Sequence, residues 1–219
     1  MMSVKRKSWP RFSLKILLAA LTFCAAIFAV WGRYVEPYRQ QGVAISKLES
    51  MEIDGPGADP FSLEDIEMVL PDGPDWQASV VKRILGSDRY VHIRLLRFPK
   101  SAMEEDIVFV LRRMPFLESV ALERSTLSAE TIRSLAGLPR LTELEAKYCD
   151  IDDREISRLK PTASSIQKLT LTGNPITNRA TETLLSLESI ETLYLRWTKM
   201  TQSGVELIRQ QKAECRVFF

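Results

Sequence analysis

The chain of 219 residues holds one histidine, His92, and three cysteines, Cys24, Cys149 and Cys215. A histidine base needs a nucleophile beside it and an acid to orient its ring. Ser119 is expected alongside His92 on a neighbouring strand, but no acid is placed to complete the set. The acid pairs Glu143 with Glu145 and Asp152 with Asp153 lack a pocket, and Asp152 reads better as a helix cap. A lone histidine excludes metal cages and most zinc sites. Gly55-Pro56-Gly57 is too short for a phosphate-cradling loop and is broken by its proline. The cysteines are too few and too scattered for a disulfide framework. Cys149 and Cys215 are expected in the core, three strands apart, roughly 14 Å by strand spacing and too far to bridge. No catalytic residue, metal or cofactor is expected.

The remaining chemistry is recognition. Arg94, Glu123, Glu145, Lys147, Tyr148, Tyr194, Arg196 and Trp197 stand between apolar positions of a recurring frame, so they point away from the core. Aromatic and arginine side chains dominate binding hot spots. Tyr148, Tyr194 and Trp197 are therefore the candidate anchors, with Arg94 and Arg196 as polar partners. The competing reading is an ordinary solvated sheet face on which Glu123 and Lys147 pair across strands, a contact worth little when exposed.

The frame that positions these residues is apolar-x-x-apolar-x-apolar. It reads Tyr90/Ile93/Leu95, Leu117/Val120/Leu122, Leu141/Leu144/Ala146, Ile166/Leu169/Leu171 and Ile190/Leu193/Leu195. Its starts lie 27, 24, 25 and 24 residues apart. Eleven positions after each start stands a helix-capping residue: Ser101, Ser128, Asp152, Thr177 and Thr201. Seven further on stands an apolar residue: Val108, Leu135, Leu159, Leu184 and Ile208. Each unit is predicted to be a short strand, a turn and a helix of roughly ten residues. One unit cannot bury its apolar side alone, whereas stacked units form a parallel sheet on one side and a row of helices on the other. Outward ladders are predicted as Arg94, Ala121, Glu145, Thr170, Tyr194, Arg216 and as Leu96, Glu123, Lys147, Thr172, Arg196, Phe218. Residues 212–219 are predicted to close the array as a strand with Cys215 and Val217 facing in.

These repeats resemble the leucine-rich repeat family, in its longer, ribonuclease-inhibitor-like type. The clearest copies are LTELEAKYCDID, 141–152, and IQKLTLTGNPIT, 166–177. The resemblance covers residues 90–219. It implies an α/β solenoid with a concave parallel sheet and convex helices, and a protein partner on the concave face. The family's frequent asparagine at the ninth position is here Phe98, Ser125, Cys149, Asn174 and Thr198. Only Asn174 and the small polar residues can link the turns. The first copy also carries Lys100 where the others have Leu, Ile, Ile and Met.

Residues 1–15 carry five basic residues and no acid. With +2 for the whole chain, that leaves the remainder at −3. Ile16–Gly32 is free of charge and is predicted to be a transmembrane helix, roughly 25 Å long. A cleaved signal peptide is the rival, but no good small-x-small site follows the apolar run. An uncleaved single-pass anchor is the favoured reading. The positive-inside rule then keeps the tail in the cytoplasm and exports the repeats. The near-neutral total and the acidic exported part argue against nucleic acid. The whole layout is similar to bacterial membrane-anchored leucine-rich repeat proteins. Residues 33–89 are expected to link and cap the array. A short amphipathic helix falls within 40–51, a strand over 51–54, a loop over 55–60, a helix from Ser62 to about Leu70, and a helix over Trp76–Leu85 ended by Gly86. Trp76, Val80, Val81, Ile84 and Leu85 are expected on its inner face. A second function class is a self-assembling envelope component that packs through the sheet or the edge near Phe218 and Phe219.

Overall fold

The computed structural model describes residues 14–51, 66–71, 73–86, 90–98, 100, 102–159 and 165–219, with side chains described from Leu18. The expected strand over 51–54, the 55–60 loop, the start of the 62–70 helix and the Ser101 cap lie wholly or partly outside these residues. Helix α1 (Leu14–Tyr34) leads into α2 (Glu36–Met51). Next come β1 (Ile66–Val69), α3 (Asp75–Leu85) and β2 (His92–Arg97). The array follows as α4 (Glu104–Leu111), β3 (Ser119–Glu123), α5 (Ala129–Ala136), β4 (Glu143–Lys147), α6 (Asp153–Arg158) and β5 (Lys168–Thr170). A 3-10 turn (Asn178–Ala180) runs into α7 (Thr181–Leu185), then β6 (Thr192–Tyr194), α8 (Gln202–Gln211) and β7 (Arg216–Phe218).

The strands form one seven-stranded sheet in chain order. From β2 to β7 every neighbour is parallel. Apolar frame residues point to the helices and are withdrawn from water, among them Val120, Leu144, Leu169 and Leu193. So are Val108, Leu135, Leu159, Leu184 and Ile208 on the helical side. Each such leucine or isoleucine stabilises the fold by about 1.5–3 kcal/mol. The burial is shared between neighbours, which is why the repeats are stable only as a stack.

Capping follows the sequence closely in the middle of the array. Ser128 accepts from the Glu130 N–H, and Thr177 from that of Arg179. Asp152 forms a capping box with Glu155. First-turn side chains also reach into the next repeat. The Glu104 carboxylate accepts from the Ser128 N–H and the Thr131 hydroxyl, Asp153 from Thr177, and Asn178 from the Thr201 N–H. Thr201 starts α8 without a side-chain cap bond.

The first repeat departs from the predicted frame. Leu96, not Ile93, pairs with Val120. Ile93, Leu96 and Phe98 are the buried triplet, while Leu95 is half-buried beside Ser119. The sequence holds two overlapping frames three residues apart, and the later one restores the repeat of 24 seen at Leu117 to Leu141. Tyr90 is released to a separate cluster with Val35, Tyr38 and Val81. The shift moves the helix start as well: α4 begins at Glu104, and its N-cap is Met103, with no side-chain cap bond.

The N-terminal unit also differs from expectation. Residues 66–69 form a strand, not the end of a helix; β1 runs antiparallel to β2 and covers the first edge of the parallel sheet. Alongside it, α2 packs against the helical row through Ala44 and Leu48, and Lys47 pairs with Asp106 of α4 at 2.7 Å. Buried Gln41 accepts from the Ile93 N–H at 3.1 Å and donates to the Val91 carbonyl at 2.7 Å. One amide thereby satisfies a backbone group of β2 and one of the residue just before it. On α3, which Gly86 ends at φ 103°, Val81 is buried, and Ala78 and Leu85 pack half-buried beside it. Trp76, Val80 and Ile84 face outward.

Among the described residues no single helix is long and apolar enough to cross a membrane. Leu18–Tyr34 and Glu36–Met51 meet that test only together, bent by 43°. Five residues of α2 are buried, with Ala44 and Leu48 in the core of the array and Gln41 bonded to β2, so α2 packs as part of the solenoid. Every side chain from Leu18 to Arg33 is exposed.

Candidate functional site on the concave sheet

The chain leaves each strand by the same conformational step. Seven residues after the starts at 117, 141, 166 and 190 stand Arg124, Tyr148, Gly173 and Trp197, all with left-handed backbones (φ 55°, 54°, 75° and 56°). A residue with a Cβ pays about 1–2 kcal/mol for that conformation. The stack imposes it: the N–H groups of Arg124, Tyr148 and Gly173 donate to the carbonyls of Lys147, Thr172 and Arg196 in the next repeat, at 2.9–3.0 Å. The turn throws the side chain sideways onto the rim of the concave face. Tyr148 and Trp197 are thus rim residues, and Trp197 is 75% exposed.

Gly173 stands between them. A Cβ there would collide with the Tyr148 ring, which lies over the glycine. The ring thereby reaches to 6.2 Å of the Trp197 ring, stacked at 29°. At the centre of the face Thr170 of β5 and Thr172 just beyond it are short and buried, between the longer side chains of β4 and β6. Short residues flanked by long ones leave a cleft of about 340 Å³. It is lined by Glu145, Lys147, Lys168, Thr170, Thr172, Tyr194, Arg196 and Trp197. Its chemistry is mixed: two hydroxyls at the floor, a tyrosine and a tryptophan at one wall, and charged groups around the mouth.

Most of those charges are already engaged. Lys147 pairs with Glu145 at 2.7 Å, and Lys168 with Glu143 at 2.5 Å. The Glu143 carboxylate raises the Lys168 pKa, so this ammonium is held protonated. Arg196 has no ion pair among the described residues. The expected Glu123–Lys147 pair does not form although the two are in register. Lys147 turns to Glu145 on its own strand, and Glu123 lies 3.9 Å from Lys100 and 4.0 Å from Arg124.

Of the candidate residues, Glu145, Lys147, Tyr194, Arg196 and Trp197 share the cleft, and Tyr148 borders it. Glu123 is one strand away. Arg94 lies apart at the N-terminal end, paired with Glu118 at 2.6 Å. The predicted ladder through Ala121, Glu145, Thr170 and Tyr194 is correct, but both ends shift: Arg97, not Arg94, precedes Ala121, and Phe218, not Arg216, follows Tyr194. Phe218 stacks on Tyr194 at 4.6 Å. Lys168 and Gly173 were missing from the predicted site. The constant spacing of the left-handed position, with glycine at one copy, was the signal that could have found the second.

His92 is not beside Ser119, which pairs with Leu95. It sits between rings, stacked on Phe116 at 3.8 Å, with Nε2 3.0 Å from the Tyr38 hydroxyl. Burial raises the Tyr38 pKa, so the hydroxyl stays protonated. Cys149 and Cys215 are buried free thiols; burial pushes Cys149 up to about 11 and Cys215 upward as well. At the ninth position Asn174 is buried. Its amide accepts from the Cys149 and Ile151 N–H groups and donates to the carbonyls of Ala146 and Leu171.

The described residues form a solenoid of the leucine-rich repeat type: a parallel sheet of 24- or 25-residue units, each with its inward triplet and convex helix, and with a left-handed turn at four of them. No family model matches it. A stretch of 129 residues is 23% identical to Protein NLRC5 of Mus musculus, covering 54% of this chain and 7% of that protein. A solved leucine-rich repeat protein of Leptospira interrogans is similar at 23% identity over 51% of this chain and 27% of that chain, with a TM-score of 0.35. The chain thus spans a small share of the relatives it matches.

Proposed function

We propose that this protein is a single-pass, membrane-anchored leucine-rich repeat module that binds a protein partner through its concave face, without a chemical step. The observation that carries the binding face is the pair Tyr148 and Trp197, held in left-handed turns and left exposed beside Arg196, which makes no ion pair among the described residues. The stack imposes the turn at successive repeats, but not large exposed aromatics at two of them, and aromatic and arginine side chains dominate binding hot spots. A preformed cleft also lowers the ordering cost of association.

The anchor reading rests on α1. Its uncharged run, Ile16–Gly32, would reach roughly 25 Å against a hydrocarbon layer of ~30 Å, with Lys15 extending its stem to the headgroups. It exposes Leu21, Phe23, Ile27 and Phe28 with no charge between Leu18 and Gly32. The charge asymmetry argues for a cytoplasmic N-terminus and an exported solenoid.

Partner capture from detergent-solubilised native membranes tests the face. Trp197→Ala with Arg196→Glu should lose a protein that wild type and the convex variant Leu207→Ala retain. Equal capture by all three sinks the reading. Protease added outside intact cells should digest the repeats; their protection would overturn the orientation. A second reading, self-assembly, is favoured by one observation: the outer edge of β7 is unpaired among the described residues, with Phe218 and Phe219 exposed. It requires concentration-dependent oligomers of the 33–219 fragment in sedimentation.

A further inference from the structure

Helix α3 was expected to cap the array, yet only its Val81–Leu85 side does so. The other side is an apolar stripe, Trp76, Val80 and Ile84, at four-residue spacing and open to solvent. This stripe is not isolated. Val80 and Ile84 form, with Ala26, Ile27, Val30, Trp31 and Val35, a groove of about 340 Å³ between α3 and the C-terminal half of α1. At the groove's end the Trp76 ring meets Tyr34 edge-on at 5.0 Å. The same helix carries exposed Lys82 and Arg83, and Arg33 stands on α1 beside Tyr34.

We infer that α3 is a second membrane-contacting element, its Trp76–Val80–Ile84 stripe seated on lipid in continuity with the apolar surface of α1. This rests on the reading of α1 as membrane-embedded. The occupant is argued from that continuity and from charge. A groove shared with an uncharged, fully exposed helix lies at the depth of that helix. Tryptophan and tyrosine concentrate at the level of the headgroups. Lysine and arginine can lay their stems along apolar surface and send their charges to anionic headgroups. A helix in contact at its side, added to α1 at its end, would hold the solenoid at a fixed angle to the membrane.

The test uses the full chain with Cys24→Ser, reconstituted in phosphatidylcholine–phosphatidylglycerol vesicles. Single cysteines at Ile27→Cys, Val80→Cys, Ile84→Cys and Leu207→Cys take an environment-sensitive fluorophore. Nitroxide-bearing lipids should quench positions 27, 80 and 84 and shift their emission to the blue, and leave 207 unchanged. Quenching at 27 without quenching at 80 and 84 overturns the inference and leaves the anchor standing. No quenching at 27 removes the anchor reading, and the inference with it. A blue shift at 84 without lipid quenching, together with an 84–84 disulfide between chains of the unlabelled Ile84→Cys protein, means that a second copy covers the stripe and also overturns it.

Discussion

Replacing Asn174 with alanine removes a buried side chain that ties two repeat turns together through four hydrogen bonds. Its carbonyl accepts from the N–H groups of Cys149 at 2.9 Å and Ile151 at 3.1 Å. Its amide donates to the carbonyls of Ala146 at 2.7 Å and Leu171 at 2.9 Å. In Asn174→Ala both N–H donors stay buried without an acceptor, at about 1–3 kcal/mol each. Water entering the polar hole would reduce the penalty, so the expected loss is about 3 kcal/mol. At ~2–4 °C per kcal/mol for a chain of this size, Tm should fall by ~6–12 °C. The control is Thr198→Ala, the equivalent position one repeat on, where the hydroxyl makes one bond, to the Leu195 carbonyl. That change should cost about 0.5–1.5 kcal/mol. Urea unfolding followed by circular dichroism measures both. Equal losses, or a loss below ~0.5 kcal/mol for Asn174→Ala, would refute the assignment of this residue as the link between turns.

Gln41→Ala should destabilise the N-terminal unit by about 1–3 kcal/mol, since it leaves the buried Ile93 N–H without its acceptor and the half-buried Val91 carbonyl without its donor; hydrogen exchange should speed up at Ile93 before it does at Leu193. Burial pushes the Glu104 carboxyl up, but its bonds from Ser128 and Thr131 outweigh this and hold it below the ordinary range. A depressed folded pKa gives stability that is present above the unfolded value and lost as pH falls below about 4.3. Glu104→Gln should flatten that acid-side loss in urea midpoints. With its pKa raised to about 11, Cys149 should escape iodoacetamide at pH 8 in the native Cys24→Ser protein, and Cys215 with it, until urea exposes both; mass spectrometry reads the adducts. Gly173→Ala should cost about 1–2 kcal/mol for its φ alone and displace the Tyr148 ring, read as a change in near-ultraviolet circular dichroism.

The repeat was legible because two independent periodicities agree: the apolar triplet and the capping residue eleven positions later. Where they conflict, the reading failed. In the first copy Tyr90/Ile93/Leu95 and Ile93/Leu96/Phe98 fit the triplet equally well, and only pairing with β3 selects the second. That choice carried Arg94 off the ladder and His92 away from Ser119. The β1 strand was hidden because Ile66–Val69 pairs with a partner distant in sequence, and no local alternation marks a short edge strand. The candidate cleft was half legible. Outward positions could be listed from the frame, but not the hole at β5. That depends on Thr170, Thr172 and Gly173 being short beside Tyr148 and Arg196. Ion-pair choice was not legible, since Lys147 had acids on two strands within reach and took the one on its own.

The most direct measurement of the central claim is site-specific photocrosslinking in native membranes, with a benzophenone amino acid replacing Trp197 on the concave rim or Leu207 on the convex α8. The account predicts a discrete heterologous adduct at position 197, lost on adding Arg196→Glu with the fold intact, and absent at 207. Adducts of the same pattern at both positions, or adducts at 207 alone, would contradict it.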